Sequence, residues 1–142
     1  MADSAAHSAD RLLRRTLWGN AIFSAASGVV MAAFAAPLAR LAVQEAGAIS
    51  GPDFALVLEL LGLGLIAFGL ACAWIASRQT LPRTWARVVF AADLAWVVGS
   101  LLVLGLPSMW TAIGLAGMVI QALIVADFVV LEYLGLRRLG TR

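Results

Sequence analysis

Residues 54–76 read FALVLELLGLGLIAFGLACAWIA, an apolar run in which Glu59 is the one charged side chain. A helix rises about 1.5 Å per residue, so about 20 apolar residues cross the hydrocarbon core of a bilayer, which is roughly 30 Å thick. The run is rich in Ala and Leu and lacks the alternation of a half-buried strand. It therefore predicts a transmembrane helix.

Three further segments have the same character, namely residues 16–36, 86–106 and 109–134. The segment at residues 16–36 is expected to stop at Pro37, and the segment at residues 86–106 at Pro107, because proline interrupts a helix. The connections between the four segments are short, which forces neighbouring helices to be antiparallel. The predicted fold class is all-α, an integral membrane four-helix bundle.

The chain has room for one such domain, which we assign to residues 11–142, after a flexible N-terminal tail at residues 1–10. Arginines followed by an apolar run are also typical of a cleaved signal peptide. The run here is about 20 residues, longer than the 7–15 of a signal core, so we expect a retained first helix.

Composition supports a membrane protein and argues against several functions. Hydrophobic residues make up 63% and charged residues 13% of the chain, against about 45–50% and about 25% in soluble domains. The basic residues are all arginine and cluster at the ends of the apolar segments, so a pI of 9.5 indicates lipid headgroups and no nucleic-acid partner. Cys72 and His7 are single, so we expect no disulfide, no metal site and no cofactor.

Arginine counting predicts the orientation. One side of the predicted bundle carries nine arginines: Arg11, Arg14, Arg15, Arg78, Arg83, Arg87, Arg137, Arg138 and Arg142. The other side carries Arg40. The positive-inside rule then places both termini and the 77–85 connection in the cytoplasm. We expect a multi-pass protein of the bacterial inner membrane.

Two polar residues lie at matching depths in helices that run the same way. Asn20 follows Arg14 by six residues, and Asp93 follows Arg87 by six, so each is about 9 Å into its helix. We predict that Asn20 and Asp93 contact each other. An uncompensated carboxylate at that depth is costly, so this contact is either a structural clip between helices or a functional acid.

Other polar side chains extend this predicted cluster. Asp127 and Gln121 lie in the fourth segment, whereas Glu132 is interpreted as a surface charge and Glu59 as a boundary residue that reaches the headgroups. The candidate intramembrane polar cluster is Asn20, Ser24, Asp93, Ser100, Gln121 and Asp127. Small residues let helices approach closely, and we expect this of Gly62, Gly64, Gly69, Gly114 and Gly117.

Two motifs resemble a known family. They are Arg14-Arg15-x-x-x-x-Asn20-Ala21-x-Phe23-Ser24-x-x-Ser27-Gly28, and Ala86-Arg87-Val88-Val89-x-x-x-Asp93-x-x-Trp96-Val97-x-Gly99-Ser100. Together they are similar to a family of small bacterial four-helix membrane proteins of unassigned function. The resemblance implies that Asn20, Ser24, Asp93 and Ser100 belong together. It implies no activity, cofactor or catalytic residue.

Three functions remain open from the sequence. The first is a non-enzymatic accessory, assembly or scaffold subunit, whose partners are the lipid bilayer and other membrane protein subunits or further copies of itself. The second is a small proton- or cation-coupled transporter that uses Asp93 and Asp127. The third is a lipid- or quinone-binding protein, in which Trp96 near Asp93 flanks a flat ring.

Overall fold

The computed structural model describes residues 2–44, 49–106 and 109–140, and its regular secondary structure is helical, with one isolated bridge. Four of its helices are long and apolar enough to cross a membrane, over Asp10–Ala33, Gly51–Ser77, Arg83–Leu104 and Ala112–Arg138. This confirms the all-helical prediction with four apolar spans. The five helices are α1 (Ala2–Ala33), α2 (Ala35–Ala42), α3 (Gly51–Ser77), α4 (Arg83–Leu104) and α5 (Ala112–Gly140).

The first helix begins and ends earlier than the sequence predicts. It starts at Ala2, so residues 2–10, for which the sequence predicts a flexible tail, are helical. It ends at Ala33. In a continuous helix the ring of Pro37 would clash with the carbonyl of Ala33, four residues earlier. Phe34, with φ −119° and ψ 26°, separates it from α2, where Pro37 lies in the first turn and is tolerated.

The short helix α2 was not predicted, and it packs against the first turns of α3 and α5. The Gln44 amide donates to the Met109 carbonyl at 3.0 Å, and the Thr111 amide donates to the Ala42 carbonyl at 2.9 Å. The rings of Phe54 and Trp110 meet edge to face, with centroids 5.6 Å apart. The predicted stop at Pro107 lies outside the described residues.

Glycines allow α1 and α3 to pack backbone against backbone. A Cβ added to Gly62 would lie 2.6 Å from the Gly28 carbonyl oxygen, and one added to Gly69 would lie 2.8 Å from the Ala21 oxygen. A Cβ on Gly114 would lie 2.1 Å from the Ala42 oxygen, so the predicted close approach is confirmed at these three glycines. It is wrong at Gly64 and Gly117, where an added Cβ meets nothing within 4 Å.

The long helices contact one another at one end of the protein, and α3 and α4 separate on one side. Arg14 ties α1 to the end of α3, because its guanidinium donates to the carbonyls of Ala76 at 2.5 Å and Arg78 at 2.6 Å. We call this the arginine-rich end, since Arg87 of α4 and Arg137 of α5 also lie there. Helix α1 packs along α3 and α5, and α5 packs along α4, whereas α3 and α4 barely touch.

Candidate functional site

Three helices bring polar side chains together inside the protein. The Asn20 amide nitrogen of α1 donates to Asp93 Oδ2 of α4 and, at 3.3 Å, to Glu132 Oε1 of α5. The Ser24 hydroxyl donates to Asn20 Oδ1 at 2.9 Å. We call these four residues the polar cluster. The predicted contact between Asn20 and Asp93 is confirmed.

The members lie at one depth because each helix places its polar residue at a similar distance from the arginine-rich end. Asn20 and Asp93 each follow an arginine by six residues, and Glu132 precedes Arg137 by five. At about 1.5 Å per residue these separations are roughly 7–9 Å. The three side chains are also buried: the exposed fractions are 1% for Asn20, 4% for Asp93 and 0% for Glu132.

Among the described residues, the two carboxyls share one neutral donor and no ion pair reaches them. Glu132 Oε2 is buried and has no hydrogen-bond partner among the described residues. Two carboxylates in contact cannot both stay charged in an apolar interior. The pair must therefore hold a proton or a cation.

Apolar packing closes the polar cluster toward the arginine-rich end. Leu13 and Leu17 of α1 are 0% exposed and pack with Ile75, Ala86 and Val89. The partly buried Leu136 of α5 packs on the same group. These side chains lie between the carboxyls and the arginines of that end, so this core separates the carboxyl pair from water there.

A cavity reaches the polar cluster from the opposite direction. Its volume is about 240 Å³, and it lies where α3 and α4 separate. Asp93 and Ser24 line it together with Trp96 and Gln121, and its remaining walls are apolar side chains of all four long helices. Trp96 Nε1 is buried there without a hydrogen-bond partner in the described structure, so one donor is unused.

The cavity also communicates with the outside of the helices. On α3 its wall includes Leu60 and Leu61, which are 61% and 39% exposed, and the exposed Gly64. We call the opening between α3 and α4 the lateral seam. If the four helices cross a bilayer, the seam faces lipid, on the side of the polar cluster away from the apolar core described above.

The structure brings together some of the six predicted residues and separates others. Asn20, Ser24 and Asp93 lie in the polar cluster, and Gln121 lines the cavity next to it. Ser100 is buried on α4, about two turns from Asp93 toward the far end of the helix. Asp127 is exposed and lies away from the cluster.

Glu132 is the member of the cluster that the sequence interpretation missed. Its assignment as a surface charge is wrong, since its side chain is fully buried. The nearby Arg137 suggested an ion pair in water, yet Glu132 points into the protein. A usable signal was present: Gln121, Val125 and Glu132 are spaced by four and seven residues, which places them on one helix face.

Comparisons with family models, curated proteins and solved structures find no match for this chain. The resemblance to small bacterial four-helix membrane proteins therefore stays a prediction.

Proposed function

We propose that the four long helices form a bundle in the inner membrane of a bacterium, with the arginine-rich end and both termini in the cytoplasm. Arginine asymmetry supports this orientation, because basic residues are retained on the cytoplasmic side. In this placement the polar cluster lies within the hydrocarbon, and the lateral seam opens toward acyl chains.

We further propose that the protein binds a membrane-soluble amine, whose ammonium head contacts Asp93 while its apolar part extends through the lateral seam. One observation carries this function: the uncompensated pair of Asp93 and Glu132 stands at the inner end of a cavity that meets the bilayer. An ammonium group supplies the positive charge that the pair lacks. The Trp96 ring in the same cavity also attracts cations.

The apolar core at the arginine-rich end favours this ligand over an inorganic cation from water. Leu13 and Leu17 belong to a buried apolar core between that end and the pair. Among the described residues, no group of three His, Cys, Asp or Glu side chains is placed to hold a metal ion. A lipophilic amine arrives through the bilayer, so it does not cross the apolar core and does not need a group of metal ligands.

The size of the cavity limits what enters it. Pockets that enclose a drug-sized ligand measure about 300–1,000 Å³, and this one measures about 240 Å³. It therefore holds a head group or one ring, and the rest of the ligand stays in the seam. This function requires binding and proton exchange at the carboxyl pair, with no covalent chemistry.

Binding of decylammonium to the protein in lipid nanodiscs tests the proposal, with decanol as the uncharged ligand of equal chain length and empty nanodiscs subtracted. The wild-type protein is expected to bind decylammonium at least tenfold more tightly than decanol, since buried charge-assisted contacts contribute about 1.5–3 kcal/mol. Asp93→Asn should reduce this preference to about twofold, and Glu132→Gln should weaken it. Asp127→Asn, outside the cavity, is the matched control.

The pH dependence gives a second readout of the same experiment. Because the ammonium displaces the proton that the pair holds, its affinity should rise with pH, by up to about tenfold per unit. Decanol displaces no proton, and its affinity should stay constant. Equal affinities for the two ligands, or a preference that survives Asp93→Asn, would contradict the proposed function.

The expectation of an accessory, assembly or scaffold subunit also stays a proposal. A separate observation favours it, the exposed position of Asp127 within α5. The alternative transporter that uses Asp93 and Asp127 together has less support, because Asp127 lies on the other side of α5 from the polar cluster.

A further inference from the structure

Asp127 lies on the side of α5 that faces away from the rest of the protein. Phe128, next in the chain, packs against Phe23 of α1 with ring centroids 5.9 Å apart, and Val125 is buried. By helical geometry Asp127 points nearly opposite to Glu132 and Val125. Its neighbours on this side are exposed: Ile120 is 58%, Leu123 63% and Val130 56% exposed.

The depth of Asp127 rules out an ordinary boundary charge. It precedes Tyr133, an aromatic residue typical of the membrane interface, by six residues and Arg138 by eleven, which correspond to about 9 Å and about 16 Å along the helix. A short aspartate side chain cannot span such a distance to the headgroups. A charged group facing lipid near the middle of a span costs at least about 2.5–3.5 kcal/mol.

Asp127 also has no partner within the part of the chain that the structure describes. No hydrogen bond or ion pair reaches its carboxyl from any described residue. Ion pairs and hydrogen bonds are what normally stabilise an acid inside a membrane. None of the described residues therefore supplies the stabilising group, and a neighbouring molecule in the membrane can supply it.

The surface around Asp127 has room for a second helix. Ala116 and Gly117 lie on α5 two turns or more before Asp127, and both are exposed. A Cβ added to Gly117 would have no other atom within 4 Å. Small residues of this kind let the backbones of membrane helices approach closely. We define the outer face of α5 as Ala116, Gly117, Ile120, Leu123, Asp127 and Val130.

We propose that the outer face of α5 binds a transmembrane helix of a different protein chain, one that carries a lysine or arginine at the depth of Asp127. Charge complementarity with Asp127 determines which partner fits this face. In the described residues, the arginines of this chain lie near the ends of the four apolar spans or in α2. A second copy packed in the same orientation therefore presents no cation at that depth, whereas a foreign helix with a basic residue pairs with the carboxylate.

This interface is independent of the proposed amine site, because Asp127 and the carboxyl pair lie on opposite sides of α5. Failure of one proposal leaves the other standing. Both require the four long helices to cross a membrane.

Synthetic transmembrane helices provide a direct test. The probe is a Leu-Ala helix with one lysine about 9 Å inside its interfacial tyrosine, and the comparison helix has leucine at that position. Energy transfer from dye-labelled protein to dye-labelled peptide, measured in phosphatidylcholine vesicles, reports association. The lysine helix is expected to bind wild-type protein about tenfold or more tightly than the leucine helix.

Three variants assign the effect to this face. Asp127→Asn and Asp127→Leu should remove the preference for lysine, and both should keep the wild-type helix content. Glu59→Gln changes another exposed acid within a span, on α3, and should leave the preference intact. The inference is overturned if the two helices bind equally, if Glu59→Gln has the effect expected of Asp127→Asn, or if energy transfer between protein copies depends on Asp127.

Discussion

The Asn20 side chain contacts each of the other members of the polar cluster. Its amide nitrogen donates to both carboxyls, and its amide oxygen accepts from Ser24. An amide is suited to this position because it donates to two acceptors without adding charge. The carboxyl pair thus keeps its own demand for a proton or a cation, which is the property that the amine proposal uses.

Replacing Asn20 by leucine should destabilise the protein by about 1–3 kcal/mol, because two buried carboxyls lose their donor. Resistance to unfolding by sodium dodecyl sulfate, followed by circular dichroism, measures the change. Combining Asn20→Leu with Asp93→Leu and Glu132→Leu removes the unsatisfied groups and should restore part of the loss. A single Asn20→Leu variant as stable as wild type would show that the shared hydrogen bonds contribute nothing.

At this scale the sequence predicted one contact and missed another. Asn20 and Asp93 were paired correctly because both are uncommon in apolar helices and follow an arginine by the same interval. Glu132 was missed because its sequence neighbours are arginines, and sequence distance does not report the side of a helix. The prediction that Asp127 belongs to the cluster was wrong because it used the depth of Asp127 along its helix and ignored which side of the helix the residue faces.

Among the helices, the contact between α1 and α3 is the closest, and it depends on the absence of side chains. Gly28 and Gly62 each leave space for the backbone of the other helix. This tight pair contrasts with α3 and α4, which separate and leave the cavity. The lateral seam therefore exists because α3 packs on α1 in preference to α4.

Gly62→Val should destabilise the α1–α3 pair by about 1–3 kcal/mol or more, because its Cβ would overlap the Gly28 carbonyl and backbone must move. Gly64→Ala, two residues away on the same helix, is the matched control, since an added Cβ meets nothing there. Unfolding in detergent compares the two variants. Equal stabilities would contradict the close packing of these helices.

Element lengths were predictable where apolar runs are continuous and less so where proline intervenes. The apolar run at residues 54–76 lies within α3 (Gly51–Ser77), which Ser50 caps by accepting from the Asp53 amide at 3.3 Å. The break at Phe34 was expected three residues later, because proline disrupts the helix before its own position. Helix α2 was too short to give a periodic signal of its own.

At the scale of the whole molecule, both proposed binding sites require lipid around the four spans. The same placement gives the lateral seam access to lipophilic amines and makes the exposed Asp127 require a partner. In water neither conclusion holds, because the seam would fill with solvent and the Asp127 carboxylate would be hydrated. The proposed orientation would place the carboxyl pair nearer to the cytoplasmic surface.

Labelling of single cysteines in intact cells tests this placement most directly. Cys72 is buried and is replaced by alanine, and a cysteine is then introduced at Pro52, in the exposed first turn of the second span, or at Thr80, in the connection between α3 and α4. A membrane-impermeant thiol reagent should label Pro52→Cys in intact cells and Thr80→Cys after the membrane is opened. Labelling of Thr80→Cys in intact cells, or recovery of the protein in the soluble fraction, would contradict the account.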